Sequence, residues 1–287
     1  MPFSEAQIAA QLRALGVSEG ATVLLRANLG AVGRTEFKMR DSFVALLLGL
    51  VGPSGTIMTL TFTPAFAVAG IRPENFFDAN TPSTSGPLAK LFLDHPGMVR
   101  SAHPVNSFAA IGSKASFLCG SHGPDDPPYL PIGKLVEAGG RMLIIGCTTE
   151  SPGFTTVHWT QWVLGLASLT TRPNRQGVYC RTGAETKLHR ISAPGGCSRG
   201  FWKLYSHYAQ GEALATGNVG GAYSLAVDAA IAHALERDVL TRDPRTALCD
   251  DPDCAKCRAG WRYNRVDQAR FYLRRGWKGM RRILLPR

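Results

Sequence analysis

The chain has 287 residues, 45% of them hydrophobic, and carries 32 Lys and Arg against 21 Asp and Glu, a formal net charge of +11. This length accommodates one large α/β domain or two small ones around a sizeable core. No run of 18 apolar residues occurs and Met1-Pro-Phe-Ser-Glu-Ala-Gln7 lacks the basic and apolar regions of a signal peptide, so neither a transmembrane helix nor secretion is expected.

A helix is predicted from Ser4 to Leu15, capped by Ser4, with Ile8, Leu12 and Leu15 at helical spacing. Gly20 to Arg26 reads as a turn and a buried strand, Asp41 to Leu50 as a helix capped by Asp41, and Gly55 to Thr63 as a second strand. Pro87 to Asp94 is a predicted helix, Met142 to Gly146 a third core strand, and His158 to Ala167 the helix that follows. Residues 177–192 read as a strand pair, and Gly217 to Leu235 as a Gly-rich turn and a long Ala-rich helix. Strands alternating with helices indicate an α/β fold, a mixed sheet core flanked by helices.

The chain divides by charge. From Arg258 to Arg287 there are ten Lys and Arg and one acid, so +9 of the net charge sits in this tail and +2 in residues 1–257. We assign residues 1–245 to the main domain and 246–287 to a Cys-containing basic extension. Its helix candidate carries Val266, Ala269, Leu273, Trp277, Met280 and Leu284 on one stripe. That stripe can dock on the body, lie on an anionic membrane as a peripheral contact, or form the back of a solvated helix. Nucleic acid is the least supported partner, because no aromatic interleaving or nucleic-acid motif accompanies the arginines.

Seven cysteines, an odd number without a disulfide framework, suit a reducing cytoplasm. Cys249, Cys254 and Cys257 have C-x4-C-x2-C spacing, which suits a structural zinc, or they are free thiols in a polar loop. Candidates for a fourth ligand are His207, His189, Cys180 and Cys197, the last of which also reads as core. Asp250, Asp251 and Asp253 can serve as solvated acids offsetting nearby arginines.

The run Gly146 to Gln161 follows the strand Arg141 to Ile145 and ends in Thr155-Thr-Val-His158-Trp-Thr-Gln161. An imidazole placed after a buried strand and a Gly-rich turn can take a proton near neutral pH. The alternative is a core histidine bonded to a backbone carbonyl. A second histidine stands in Arg100-Ser-Ala-His-Pro-Val-Asn-Ser-Phe-Ala-Ala-Ile-Gly112.

These two segments, with Gly140-Arg-Met-Leu-Ile-Ile-Gly146 between them, resemble the aminoglycoside 3-N-acetyltransferase family, which is distinct from the GNAT acetyltransferases. Four further stretches agree in order: Gly55 to Thr63, Thr81-Pro-Ser-Thr-Ser-Gly-Pro-Leu88, Gly196-Cys-Ser-Arg-Gly-Phe201 and Gly217-Asn-Val-Gly-Gly-Ala222. The resemblance spans roughly residues 5–245. It implies transfer of an acyl group from acyl-CoA (acetyl-CoA) to an amino group of an amino sugar.

By that resemblance His158 is the general base, and Gln161 stands where the family usually has Glu. Gln keeps a hydrogen bond to the ring but loses the charge. Ser107 is a candidate donor to the thioester carbonyl. His103 and Asn106 fall near CoA and the acceptor, against the alternative of a structural His-Pro turn. Thr155 and Thr156 can bond His158 or pantetheine, or cap a helix. Arg26 and Asn28 end the first strand, where Arg26 can meet a phosphate or simply lie on the surface.

The neutral body, basic tail and Gln161 favour an anionic acceptor, a nucleotide-linked amino sugar or cell-surface glycan. The alternatives are an aminoglycoside antibiotic and, in another class, a non-catalytic module that binds CoA or a nucleotide. A homodimer is compatible with the sequence but has no motif behind it.

Overall fold

In the computed structural model, which describes residues 1–169, 176–183, 185–191 and 196–284, the chain begins with α1 (Glu5–Ala14), β1 (Thr22–Ala27), α2 (Met39–Val51) and β2 (Thr56–Leu60). Next come the short strands β3 (Phe66–Ala67) and β4 (Phe76–Phe77), α3 (Pro87–Leu93), β5 (Met98–Arg100), β6 (Phe108–Gly112), α4 (Leu130–Glu137), β7 (Arg141–Ile145) and α5 (Thr156–Val163). The second half holds β8 (Gln176–Thr182), β9 (Glu185–Arg190), α6 (Tyr205–Gln210), β10 (Leu214–Val219), β11 (Ala222–Asp228), α7 (Ala229–Arg242), α8 (Ala255–Ala259) and α9 (Arg265–Leu284).

The main sheet has the order β10-β11-β7-β1-β2-β6-β5. Strand β1 pairs in parallel with β2 and with β7, and the outer pairings are antiparallel, so the sheet is mixed as predicted. Alternation along each strand feeds two cores. Leu24, Met58, Phe108, Met142 and Ile144 face one core, packed beneath α4, α5, α6 and α7. Val23, Leu25, Ile57, Ile111, Leu143 and Ile145 face the other, beneath α1, α2 and α3. Side chains alternate across a pleated strand, so a sheet covered on both faces reads as continuous apolar runs. Each such burial contributes about 1.5–3 kcal/mol.

Helix α1 carries the predicted cap. Ser4 Oγ accepts from the Gln7 amide at 3.2 Å, and Gln7 Oε1 accepts from the Ser4 amide at 2.9 Å. Helix α2 starts at Met39 with Lys38 at the cap, so Asp41 lies within its first turn rather than capping it. The helix after β7 begins at Thr156, two residues before His158, and its α-helical part ends at Val163. The predicted turn at Gly217 is instead part of strand β10. The chain reverses at Gly220-Gly221, with Gly220 at φ 58°, and β11 precedes the helix, which Asp228 caps. Strands β8 and β9 form the predicted pair and join β3 and β4 in a small second sheet.

Helix α9 turns the first part of its predicted stripe outward; the side chains of Met280 and Leu284 lie outside the described residues. Val266, Leu273 and Trp277 are 65%, 71% and 65% exposed, whereas Phe271, on nearly the opposite side of the helix, is buried. Val266, Leu273 and Trp277 are therefore not docked on the body. Among the described residues no helix is long and apolar enough to cross a membrane.

Candidate active site

The three parallel strands end together, and a cavity of about 330 Å³ opens at their carboxyl ends. Strand β1 lies between β2 and β7, the arrangement in which open α/β sheets place ligands beyond the carboxyl ends of their strands. Arg26 and Asn28 from the end of β1, Thr59 and Phe62 from β2 and beyond, and Cys147 after β7 line it. Thr155 and His158 border it from the start of α5, and Ser198 and Phe201 complete the lining.

His158 is held on three sides. Its Nδ1 lies 3.3 Å from Gln161 Oε1. An amide oxygen only accepts, so Nδ1 carries the hydrogen and Nε2 is left as the basic nitrogen. The ring stacks on Tyr129, with centroids 4.6 Å apart and planes at 20°, and meets the edge of Phe201 at 4.8 Å. Burial lowers the His158 pKa to about 4, opposed by the Gln161 hydrogen bond and reinforced by the charges of Arg26 and Lys256. The imidazole is thus neutral at pH 7, the form that accepts a proton.

Helix α5 is anchored from beneath. Glu236 of α7 is fully buried and accepts from the hydroxyls of Thr156, Thr160 (2.7 Å) and Tyr208 (2.7 Å). Thr156 therefore serves the helix anchor rather than the cavity. Burial raises the Glu236 pKa to about 7, against the pull of its three hydroxyl donors. Thr155 stands at the α5 cap position without a side-chain cap bond and lines the cavity.

The loop between β7 and α5 is clamped by Arg26. Its Nη1 donates to Gly153 O at 2.7 Å, and its Nη2 donates to Ser151 O at 2.7 Å and to the Ser151 hydroxyl. The guanidinium fork is committed to this loop, so a phosphate role for Arg26 has no support. Gly153, at φ 80°, donates its amide to Tyr205 Oη at 2.7 Å. A Cβ on Gly153 would lie 2.1 Å from Phe201 Cβ, so only glycine lets the Phe201 wall approach.

The segment around His103 lies elsewhere. His103 is 2% exposed, stacks on His122 at 4.7 Å and meets His189 edge-on at 5.6 Å. Its Nδ1 accepts from the Asn106 amide at 3.3 Å. Ser107 is fully buried, and its hydroxyl donates to Thr61 O at 2.6 Å and accepts from Arg100 at 3.3 Å. None of these three residues lines the cavity, and the Ser107 proton is not free for a thioester carbonyl. Asn106 acts at one remove, bonding the hydroxyl of Tyr129, whose ring supports His158.

Tyr129, Phe201 and Glu236 were not found from the sequence as site residues. Phe201 stands inside a quoted motif, but nothing in Pro127-Pro-Tyr129 or in the helix around Glu236 marks a role. In the extension, the Sγ atoms of Cys249, Cys254 and Cys257 are joined by that of Cys197, all within 4.8 Å of one another. Asp250 and Asp251 pair with Lys203 and Arg199 at 2.6 and 2.8 Å.

Residues 24–241 match the family model described as aminoglycoside 3-N-acetyltransferase. The chain belongs to this family. It is 31% identical over 168 residues to aminoglycoside N(3)-acetyltransferase VII of Streptomyces paromomycinus, covering 52% of this chain and 58% of that one. It is 30% identical over 183 residues to aminoglycoside N(3)-acetyltransferase III of Salmonella sp, covering 58% and 61%. The chain thus spans less than two thirds of the length of these curated relatives. Among solved structures, the apoenzyme of aminoglycoside acetyltransferase AAC(3)-IVa superposes with a TM-score of 0.74 at 22% identity, over 90% of this chain and 96% of that one, which shows the fold. AAC-IIIb in its binary complex with CoASH superposes with a TM-score of 0.69 at 25% identity, over 84% and 97%.

Proposed function

We propose that this protein transfers an acetyl group from acetyl-CoA to an amino group of an aminoglycoside, with His158 as general base. The observation that carries the reading is the His158 imidazole, neutral at pH 7, fixed by Gln161, Tyr129 and Phe201 at the edge of a cavity. The names of the curated relatives and the CoASH complex of AAC-IIIb support the acceptor and donor classes.

In this mechanism the acceptor amine attacks the thioester carbonyl carbon. A C–N bond forms and the carbonyl electron pair moves to oxygen, while Nε2 of His158 takes the amine proton. The tetrahedral intermediate then collapses, the C–S bond breaks, and the departing thiolate takes the proton from the imidazolium, leaving the amide and free CoA thiol. Proton transfer to a positioned base contributes about 10²–10⁴-fold. Gln161 holds the tautomer, and Asn28 and Thr155 are the polar cavity residues assigned to substrate contact.

This acceptor differs from the nucleotide-linked amino sugar that the charge distribution favoured. Among the described residues no cation of the tail lines the cavity, and Arg26, the arginine that does, is tied to Ser151 and Gly153. Glu150, exposed on the neighbouring loop, places a negative charge near Cys147 instead. The test is thiol release from acetyl-CoA with aminoglycosides or with nucleotide-linked amino sugars. Turnover with aminoglycosides is expected; turnover confined to the nucleotide sugars would refute the acceptor assignment.

Two further roles belong to this proposal. Zinc held by the extension's cysteines is structural and takes no part in the reaction, in a reducing cytoplasmic setting. Helix α9 is a peripheral contact for anionic lipid: Val266, Leu273 and Trp277 form an exposed apolar strip, bordered by Arg270 and Arg274. A cationic amphipathic helix of this kind lies in the plane of an anionic bilayer surface. Full-length protein is expected to sediment with phosphatidylserine vesicles and not with phosphatidylcholine vesicles, and Leu273→Glu/Trp277→Glu to lose that binding. Equal sedimentation with both lipids, or binding unaffected by the double substitution, would remove the lipid assignment.

A further inference from the structure

The fourth thiol changes what the extension can do. Cys249, Cys254 and Cys257 lie in one buried cluster with Leu248 and Trp261, and Cys197 packs against it from a distant loop. All four Sγ atoms fall within 4.8 Å of one another. Tetrahedral zinc with Zn–S bonds of about 2.3 Å sets its sulfurs about 3.8 Å apart, so the four thiols need only a small contraction to close on the ion. None of the four is in a disulfide.

The surroundings suit a thiolate site. The Cys249 amide donates to Cys257 Sγ at 3.4 Å. The Arg199 guanidinium bonds the sulfurs of Cys197 and Cys254, and Arg258 donates to Cys249 O. Four thiolates around a divalent ion leave an anionic centre, and these donors offset it.

The loop that carries Cys197 is also a wall of the cavity. Ser198 and Phe201 line the cavity, and Phe201 meets the His158 ring. Gly196 fits between two rings: a Cβ there would lie 3.3 Å from Trp261 and 3.4 Å from His158. A metal bound by Cys197 and the extension therefore fastens this wall to the residue pair Trp261 and Tyr263, which stack at 5.5 Å.

We propose that Cys197, Cys249, Cys254 and Cys257 form a tetrathiolate zinc site that clamps the 196–201 loop against His158. The zinc site stands on its own geometry; the consequence for catalysis rests on the reading of His158 as the base. Zinc makes no contact with substrate, and Cys197 is a positioning residue.

The deciding experiment uses the full chain purified in reducing buffer. Elemental analysis is expected to find about one zinc per chain, and cobalt substitution to give the thiolate-to-cobalt charge-transfer band and the intense visible bands of tetrahedral coordination. Cys197→Ser is expected to weaken zinc retention against a chelator by at least tenfold and to change the cobalt spectrum. Absence of metal, iron in place of zinc, or a spectrum unchanged in Cys197→Ser would overturn the site. Hydrogen exchange tests the clamp without relying on turnover or on a variant that folds: chelation is expected to raise exchange in the 196–201 loop and to leave β1 and β7 protected. Unchanged exchange in that loop overturns the clamp. His158→Ala is expected to retain its zinc while losing turnover, so failure of the acetyltransfer reading leaves the metal result standing.

Discussion

His158 and His103 are alike in titration and unlike in surroundings. Burial lowers each imidazole to about 4. His158, however, presents its ring to a cavity beyond the parallel strands and spends only Nδ1 on Gln161. His103 is enclosed by His122, His189 and its own loop. A depressed imidazole pKa therefore reports burial. Access to a space that substrate can enter separates a base from a packing residue.

The sharpest test of that contrast is a pair of alanine substitutions. His158→Ala is expected to lose at least ~10²-fold in kcat/KM while still folding, as a cooperative urea transition would show. His103→Ala is expected to keep kcat/KM within a small factor and to lose about 2 kcal/mol of stability, as buried large-to-small changes do. A His103→Ala protein with full stability and no activity would break the comparison.

Proton linkage gives the next largest effect. His103 and His122, lowered to about 4 and about 3 by burial, are held neutral in the fold and take up protons when unfolded below pH 6.5. Stability should fall as pH drops from 6.5, by on the order of 2 kcal/mol per buried imidazole at pH 5. Urea denaturation at the two pH values measures this. In the same range kcat/KM should show no protonation step of His158 near 6.5, because its step lies near 4; a limb at 6.5 would mean an exposed base.

Smaller effects concern the supports. Gln161→Ala removes the bond that selects the tautomer and should lower kcat about tenfold, the equivalent of about 1.4 kcal/mol. Glu236 runs opposite to the histidines: its pKa is raised to about 7, so its stabilising neutral form is full below 4.5 and is lost as pH rises through 7. Glu236→Gln should therefore gain about 1–2 kcal/mol at pH 8 and nothing at pH 4.5, read as the difference between two denaturation curves.

Much of the architecture was legible because it rests on local patterns. Apolar runs bounded by glycine marked β1, β2 and β7, and Ser4 marked the start of α1. Strand β11 was missed because its stretch Ser224 to Val227 is buried on both faces, shows no period of two, and runs straight into an Ala-rich helix. The fate of the α9 stripe stayed open among three readings because helical periodicity shows that a face exists, not what covers it; the exposure of Val266, Leu273 and Trp277 goes against docking for that part of it.

For the site, the chain singled out His158, the resemblance added Gln161 three residues along the same helix, and spacing marked the C-x4-C-x2-C run of the extension. Local contacts recur at fixed separations, so such pairs can be read in one dimension. Only the tertiary structure set Tyr129 and Phe201 around the ring, committed Arg26 and Ser107 to backbone carbonyls, and chose Cys197 as the fourth thiol. Those choices depend on which distant segments the sheet order brings together, and on which polar groups burial forces to find partners first.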